Sequence, residues 1–261
     1  PKRRDLRMEA LAEILAKERL VHIHSYRQDE ILMYARLSQS LGLPVAAFQH
    51  VLEGYKVADV LAETNSGAST FADWWGFKME VVDGIPYNAA MMVRQGVVVS
   101  LNSDSNDLGR RLNTEAAKAV KYGNLSETEA LALVTTGPAK QLRIDNRVGR
   151  IATGFDADVV LWNNHPLSSY ARPERVWIDG RRYFDIDADR AERARIDAER
   201  ARLLQLAMAV GGDKGPPGKG PPGKPKLRLD ARQFQVLSSH LEARRGAYHD
   251  GEAVHYCLGG H

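Results

Sequence analysis

The sequence predicts an α/β protein in which parallel strands alternate with helices. Helical and strand-like patterns alternate from residue 5 to about residue 143. The clearest strand pattern, Val97–Asn102, is a nearly continuous apolar run, which is typical of a buried strand in a parallel sheet. The chain has 261 residues, 44% of them hydrophobic, which is enough for one large domain or two modest ones.

The first 143 residues divide into helices and strands with recognisable ends. The helical pattern at Asp29–Leu41 stops just before Gly42, a residue that favours a helix end. Ser126 and Glu129 have the spacing of a capping box, which predicts a helix start. Repeated strand–helix units of this kind indicate a parallel sheet with right-handed crossovers. The predicted helices are Asp5–Lys17, Asp29–Leu41, Lys56–Glu63, Pro86–Gln95, Leu108–Tyr122 and Ser126–Val134, and the predicted strands are Arg19–His24, Pro44–His50, Ala68–Phe71 and Val97–Asn102.

The pattern changes near residue 147. Short strands are predicted at Gly149–Ile151, Ala157–Trp162, Arg175–Ile178 and Arg182–Phe184, with Asp179 and Gly180 as a hairpin turn. A charged helix with few apolar positions follows and is expected on the surface. We therefore divide the chain into residues 1–143 (parallel sheet and helices), 144–186 (short strands), 187–210 (surface helix), 211–226 (a linker rich in Gly, Pro and Lys) and 227–261 (a tail of unknown role).

Composition excludes several classes of protein. The net charge of +3 comes from 36 basic and 33 acidic residues, and residues 211–226 alone hold four Lys and one Asp. The rest of the chain is therefore neutral, which argues against a nucleic-acid partner. No apolar run is long enough for a membrane span. The single cysteine, Cys257, excludes an intramolecular disulfide framework and leaves the cellular compartment open.

Three polar residues lie where predicted strands end. His24 ends the first strand, His50 ends the second, and Asp104 follows the fourth. The carboxyl ends of all strands in a parallel barrel open on one face, so these side chains are expected to meet. Two imidazoles and a carboxylate suit a divalent metal, with zinc as the first candidate. Such a metal would activate water, with the aspartate as general base. Hydrogen-bonding structural histidines are the alternative.

Longer motifs around these residues resemble a known family. HSYRQDEI at His24–Ile31, FQHVLEGYKVADVLA at Phe48–Ala62 and VVVSLNSDS at Val97–Ser105 resemble the fifth, sixth and eighth strand ends of the amidohydrolase superfamily, nearest to its imidazolonepropionase-like and prolidase-type branches. Thr135–Trp162 is similar to that family's exit from the barrel, and Arg175–Phe184 resembles the closing strands of its small β-sandwich. The resemblance implies the C-terminal half of a (β/α)8 TIM-like barrel followed by part of a small β-sandwich, and the pattern of the remaining residues adds a charged helix and a disordered tail.

The resemblance also implies roles for individual residues. His24 and His50 match metal ligands, and Asp104 matches an aspartate that binds metal and acts as the base. His22 competes with His24, but His24 ends the strand and the motif after it fits the family's loop, so His22 is expected one layer deeper. Possible substrate contacts in the neighbouring loops are Tyr26, Arg27, Glu53 and Tyr55.

The chain also departs from the family pattern. The superfamily's first-strand His-x-His pair and the bridging Lys or Glu of its fourth strand are missing, and the HIH run at 22–24 leads directly into the fifth-strand motif. We therefore expect the C-terminal portion of a longer metal-dependent hydrolase that acts on C–N bonds of a small-molecule or peptide-like substrate. A homo-oligomer is left open. The alternative is a non-catalytic half-barrel that serves as a scaffold or a partner-binding module.

Overall fold

The computed structural model describes residues 4–74 and 76–211. The predicted tail at 227–261, and all but the first residue of the predicted linker at 211–226, lie outside the described residues. One compact unit extends to Ile196, and the described remainder, from Asp197 onwards, is the second part of a long helix.

The larger sheet has four parallel strands in the order β1-β2-β3-β4. They are β1 (Val21–Ser25), β2 (Val45–His50), β3 (Gly67–Thr70) and β4 (Val99–Leu101). Each strand pairs with the one that follows it in the chain, and at least one helix lies between successive strands. Four strands are half the number that closes a (β/α)8 barrel, so the predicted half-barrel is confirmed.

The helices of the half-barrel follow the predicted pattern closely, with one addition. Gly42 ends the second helix in a left-handed conformation, and Ser126 and Glu129 form the predicted capping box. The helix at residues 136–141 was not predicted, because Gly137 and Pro138 resemble a break, although proline is tolerated in the first turn of a helix. The helices are α1 (Leu6–Leu15), α2 (Gln28–Leu41), α3 (Ala58–Glu63), α4 (Asn88–Arg94), α5 (Leu112–Gly123), α6 (Glu127–Ala132) and α7 (Thr136–Gln141).

The two faces of the sheet differ in chemistry. Residues that pair across parallel strands point to the same face, and successive residues point to opposite faces. One row, Ile23, Phe48, Ala68 and Val99, packs into the apolar core with the helices. The adjacent row, on the opposite face, is polar and consists of His24, Gln49, Ser69 and Ser100. This polar face is the one that would line the inside of a closed barrel.

The outer edge of β4 is covered by the chain itself. The Leu101 N–H donates to the Leu133 carbonyl at 2.8 Å, which uses a group that an edge strand would leave open. Gly137 of α7 lies so close to β4 that a Cβ there would be 2.3 Å from the Val99 carbonyl oxygen. Half of a barrel is expected to leave open sheet edges, and here the segment from Leu133 to α7 covers part of the β4 edge. Among the described residues, no strand pairs with the outer edge of β1.

The smaller sheet is antiparallel and has three strands in the order β5-β6-β7. They are β5 (Val159–Trp162), β6 (Pro173–Ile178) and β7 (Arg181–Asp185). Asp179 and Gly180 both have positive φ, 51° and 74°, as the predicted hairpin turn requires. The predicted strand at 149–151 is wrong: those residues form a bend, because the chain turns where Gly149 has φ 93°.

The long helix α8 (Ile186–Gly211) carries exposed charged residues paired along its length, such as Arg195 with Glu192 and Arg202 with Glu199. Its described side chains are mostly exposed, as the sequence predicted. None of the helices in the described part of the chain has both the length and the apolar character that a membrane crossing requires.

We expect Gly137→Ala to lower the free energy of unfolding by about 1–3 kcal/mol, because the new methyl group would overlap the Val99 carbonyl and push α7 off β4. Urea denaturation of both proteins measures the change. Lys140→Ala, at an exposed position of the same helix, is the control and should shift the free energy by less than about 0.5 kcal/mol. Equal stability of Gly137→Ala and the wild type would contradict the close approach of α7 to β4.

Candidate active site at the carboxyl ends of the strands

The site is built at the edge of the sheet where all four strands end. Ser25 at the end of β1 pairs with His50 at the end of β2, and His50 pairs with Thr70 at the end of β3. Because the strands are parallel, the residues that follow each of them enter the same rim. The loops after β1, β2 and β3 therefore share this edge with the segment that follows β4.

The two predicted imidazole ligands are in contact. The Nδ1 of His24 lies 2.7 Å from the Nε2 of His50, and the ring centroids are 4.7 Å apart. His50 has φ 75°, a left-handed conformation that turns its side chain away from the regular alternation of β2. The structure thus brings two sequence-predicted residues, 26 positions apart, together at the rim.

The pKa of His50 is shifted by its surroundings. Burial lowers this pKa, and the nearby His24 and Lys78 lower it as well, whereas the Asp104 carboxylate raises it. The net direction is downwards, so the neutral imidazole is favoured. A neutral imidazole has the free lone pair that a metal requires.

Asp104 lies on the same rim, two residues after Asn102, and is exposed. Its φ of 46° is left-handed, a conformation that aspartate tolerates better than most residues. Its negative charge opposes the lowering of the His50 pKa by burial. Within the residues that the structure describes, however, no three His, Cys, Asp or Glu side chains are arranged to hold a metal ion. The three-residue metal site therefore stays a prediction.

The imidazole pair nevertheless fits a divalent metal in its donor chemistry. The His24 Nδ1 and the His50 Nε2 share a hydrogen bond, in which one nitrogen donates its N–H and the other accepts, and the Nδ1 of His50 is buried with no hydrogen-bond partner among the described residues. Imidazole is a ligand that zinc prefers, and a metal bound by both of these nitrogens would replace the proton that they share. His24 and His50 therefore supply two suitable ligands, and a complete site needs at least one more.

Aromatic rings surround His50 on both sides. Tyr26 stacks on the His50 ring at 4.7 Å with an interplanar angle of 9°, and Phe71 lies on the His50 ring at 5.2 Å. Trp74 continues the stack beyond Phe71 at 5.3 Å. The ammonium of Lys78 lies 3.9 Å from the centre of the Tyr26 ring. The site thus has an apolar wall of aromatic rings with one cation at its mouth.

The side chains of two other predicted substrate contacts, Arg27 and Glu53, bind other residues of this chain. Arg27 is exposed and pairs with Asp29 at 3.0 Å. Glu53 is buried, and its carboxylate accepts a hydrogen bond at 2.9 Å from the N–H of Gln28, the first residue of α2. This contact ties the loop after β2 to the loop after β1, and it is consistent with a role in shaping the rim.

Two further predicted residues lie close to the rim. Tyr55 is half-buried, and its hydroxyl donates to the Asp83 carbonyl at 3.1 Å. His22 is on the same face of β1 as His24, and its Nδ1 lies 3.1 Å from the Gln49 amide nitrogen. His22 therefore lies one layer below His24, as the sequence predicted.

Two groups near the site were not singled out from the sequence. Lys78 lies in a loop, where a single lysine gives no signal. Asn102 donates from Nδ2 to the Ser69 hydroxyl at 2.8 Å. The sequence did contain a signal for Asn102, because it is the polar residue that ends the apolar run of the fourth predicted strand.

Comparisons with known proteins point to one family. The model of the amidohydrolase family matches residues 81–183. The amidohydrolase tasK of Hapsidospora irregularis is 37% identical over 186 residues, which are 69% of this chain and 19% of that protein. The imidazolonepropionase of Pseudoalteromonas atlantica is 36% identical over 87 residues, which are 31% of this chain and 21% of that protein.

A solved structure shows the same fold. The crystal structure of an amidohydrolase from Thermotoga maritima superposes with a TM-score of 0.66 at 32% identity, over 71% of this chain and 48% of that one. The chain therefore spans about a fifth of the length of the curated relatives and about half of this solved structure. The family model, the curated relatives and the solved structure agree with one another and with the half-barrel fold, and the chain belongs to the amidohydrolase superfamily.

Proposed function

We propose that this chain forms part of a metal-dependent hydrolase that cleaves C–N bonds in amides, cyclic amides or peptides. The contact between His24 Nδ1 and His50 Nε2 carries this proposal, because it brings two imidazoles together at the rim where barrel enzymes place their active sites. The similarity to an imidazolonepropionase and to amidohydrolases supports the reaction class.

His24 and His50 would hold a divalent metal, with zinc as the first candidate, and Asp104 would lie beside it. Such a metal supplies Lewis acidity that polarises a carbonyl and activates water. The described residues provide only two converging ligands, and four strands are half of a closed barrel. The proposal therefore places the remaining ligands on the complementary half-barrel of the complete protein.

In this proposal Asp104 is the general base. Its carboxylate is exposed at the rim and electrostatically coupled to His50, so it can reach water in the site. In the proposed reaction, the carboxylate takes a proton from the attacking water and returns it to the leaving nitrogen. Tyr26 and the aromatic wall would exclude bulk water from one side and pack against an apolar part of the substrate.

Metal binding by the two histidines can be measured directly. We expect the complete protein to bind Co²⁺ with visible absorption bands, and His24→Ala or His50→Ala to weaken or remove those bands, because each variant deletes one of the two imidazoles. His165→Ala is the control, since His165 is an exposed histidine outside the site, in the segment between β5 and β6. A complete wild-type protein without Co²⁺ binding would favour the non-catalytic scaffold.

The role of Asp104 is tested by Asp104→Asn in the complete protein. This change keeps the shape of the side chain and removes its basicity, so we expect hydrolysis of a panel of amides and dipeptides to fall by about 10²–10⁴-fold. Asp107→Asn, at an exposed position of the same segment, should retain activity. Undiminished hydrolysis by Asp104→Asn would contradict the assignment of the base.

The lowered pKa of His50 has a consequence for stability. An ordinary histidine has a pKa of about 6.5. The folded, metal-free chain resists protonation of His50, whereas the unfolded chain does not, so the unfolded state binds more protons as the pH falls through that value. We expect the free energy of unfolding to decrease below pH 6.5 and the NMR titration of His50 to have its midpoint below 6.5.

Asp104→Asn should move that midpoint lower still, because the carboxylate raises the pKa of His50. A midpoint above 6.5, or one unaffected by Asp104→Asn, would refute the proposed surroundings of His50.

A further inference from the structure

The aromatic rings beside His50 belong to a small apolar cluster of their own. Phe71 is buried together with Leu52 and Val81, in a cluster separate from the main core of the half-barrel. Trp74 is half-buried and packs against this cluster, and its ring centroid lies 5.3 Å from that of Phe71. A cluster of this size buries little apolar surface, so the positions of its outer rings depend on specific contacts.

Trp74 has a backbone conformation that its surroundings must hold in place. It lies in the aromatic loop, residues 71–87 between β3 and α4. Its φ is 78°, a left-handed conformation that bulky residues seldom adopt. Such conformations persist where surrounding contacts over-determine them, and they are concentrated at functional sites. The residue directly before Trp74 is Asp73, whose side chain makes a contact that ties the aromatic loop to a helix.

Lys118 of α5 joins the aromatic loop to that helix. Its ammonium donates to the carboxylate of Asp73 and, at 2.8 Å, to the carboxylate of Glu115, one turn earlier in α5. Ala116 and Ala119 of α5 are buried in the main core, so this helix is a fixed support. Two carboxylates close together repel one another. The ammonium that both of them bind is therefore the group that holds Asp73 on the helix.

Glu115 is a costly residue if it serves stability alone. Its side chain is 4% exposed, and a charged pair at such a position is often no more stable than apolar residues of similar volume. Burial works to lower the pKa of Lys118, but hydrogen bonds to Asp73 and Glu115 outweigh that effect and raise this pKa, so the ammonium stays charged. The charged group is better explained by the place that it gives to the aromatic loop.

We propose that Lys118 is a positioning residue that, through Asp73, holds the aromatic rings beside His50. The site then selects amides that carry an aromatic or bulky apolar group. Phe71 lies on the His50 ring at 5.2 Å with Trp74 stacked beyond it, so an amide at the histidines would have its neighbouring group against these rings. This inference rests on the proposed function, because it names the substrate class of the same site.

The test follows Trp74 by fluorine NMR in the complete protein labelled with fluorotryptophan. The Trp74 signal is identified by its loss in Trp74→Phe. We expect phenylacetamide to shift this signal and to bind about tenfold more tightly than acetamide, because only phenylacetamide has a ring to pack on the aromatic side chains. The signals of Trp162 and Trp177, which lie in the smaller sheet, should not move.

Lys118→Met and Asp73→Ala remove the link from its two ends. Each should move the Trp74 signal of the free protein and weaken phenylacetamide binding by about tenfold, while the affinity for acetamide stays unchanged. The double variant should add little, because both changes remove the same contact. Lys121→Met makes the same replacement at an exposed lysine of α5 and is the matched control, with the affinities of the wild type.

Three results would overturn the inference: wild-type binding of phenylacetamide by both variants, an equal loss for both amides, and a wild type that binds the two amides equally. The second would indicate a merely structural effect. Asp73→Ala leaves Lys118 paired with Glu115, so it tests the same link if Lys118→Met fails to fold. Binding requires no hydrolysis, so a complete protein that cleaves no amide would overturn the proposed function and the substrate class with it, whereas the link from Lys118 to the rings is measured separately.

Discussion

The parallel pairing of β1 with β2 is the constraint on which the site depends. The register sets Ser25 against His50 and His24 against Gln49, so both histidines reach the rim from adjacent strands. Because side chains alternate along a strand, a shift of one residue would turn His24 towards the helices and bring apolar residues to the polar face. Burial of Phe48 in the apolar core thus holds the register that brings the two imidazoles into contact.

The rim also contains strained backbone that the interior holds in place. Val51 has φ 36°, an unusual conformation for a β-branched residue, directly after the left-handed His50. The buried Thr70 hydroxyl donates to the His50 carbonyl at 2.9 Å, and the buried Asn88 Nδ2 donates to the Val51 carbonyl at 2.8 Å. Strain of this kind persists only where surrounding contacts over-determine it, and it is concentrated at functional sites. Buried polar residues outside the pair of imidazoles therefore support the backbone geometry at His50 and Val51.

The inner face of the half-barrel is also unusually polar. Barrel interiors are mostly filled with bulky branched residues. Here the Gln141 side chain reaches from α7, donating to the Val98 carbonyl at 2.9 Å and accepting from the Ser100 hydroxyl at 2.8 Å. It packs over Gly67, where a Cβ would lie 2.9 Å from the Cγ of Gln141. A side chain of α7, which follows the last strand of the half-barrel, thus supplies hydrogen-bond partners to polar groups of β4 and the residue before it.

The sequence by itself determined the elements and the identity of the candidate ligands. Apolar periodicity, the capping box at Ser126 and the hairpin turn at Asp179 are local signals, and they predicted the order of the elements and the rim at which His24, His50 and Asp104 lie. Only the tertiary structure decided that His24 contacts His50, that α7 covers β4, and that Glu53 binds the N–H of Gln28. These contacts join residues more than 20 positions apart, so they depend on strand register and packing, which no local pattern encodes.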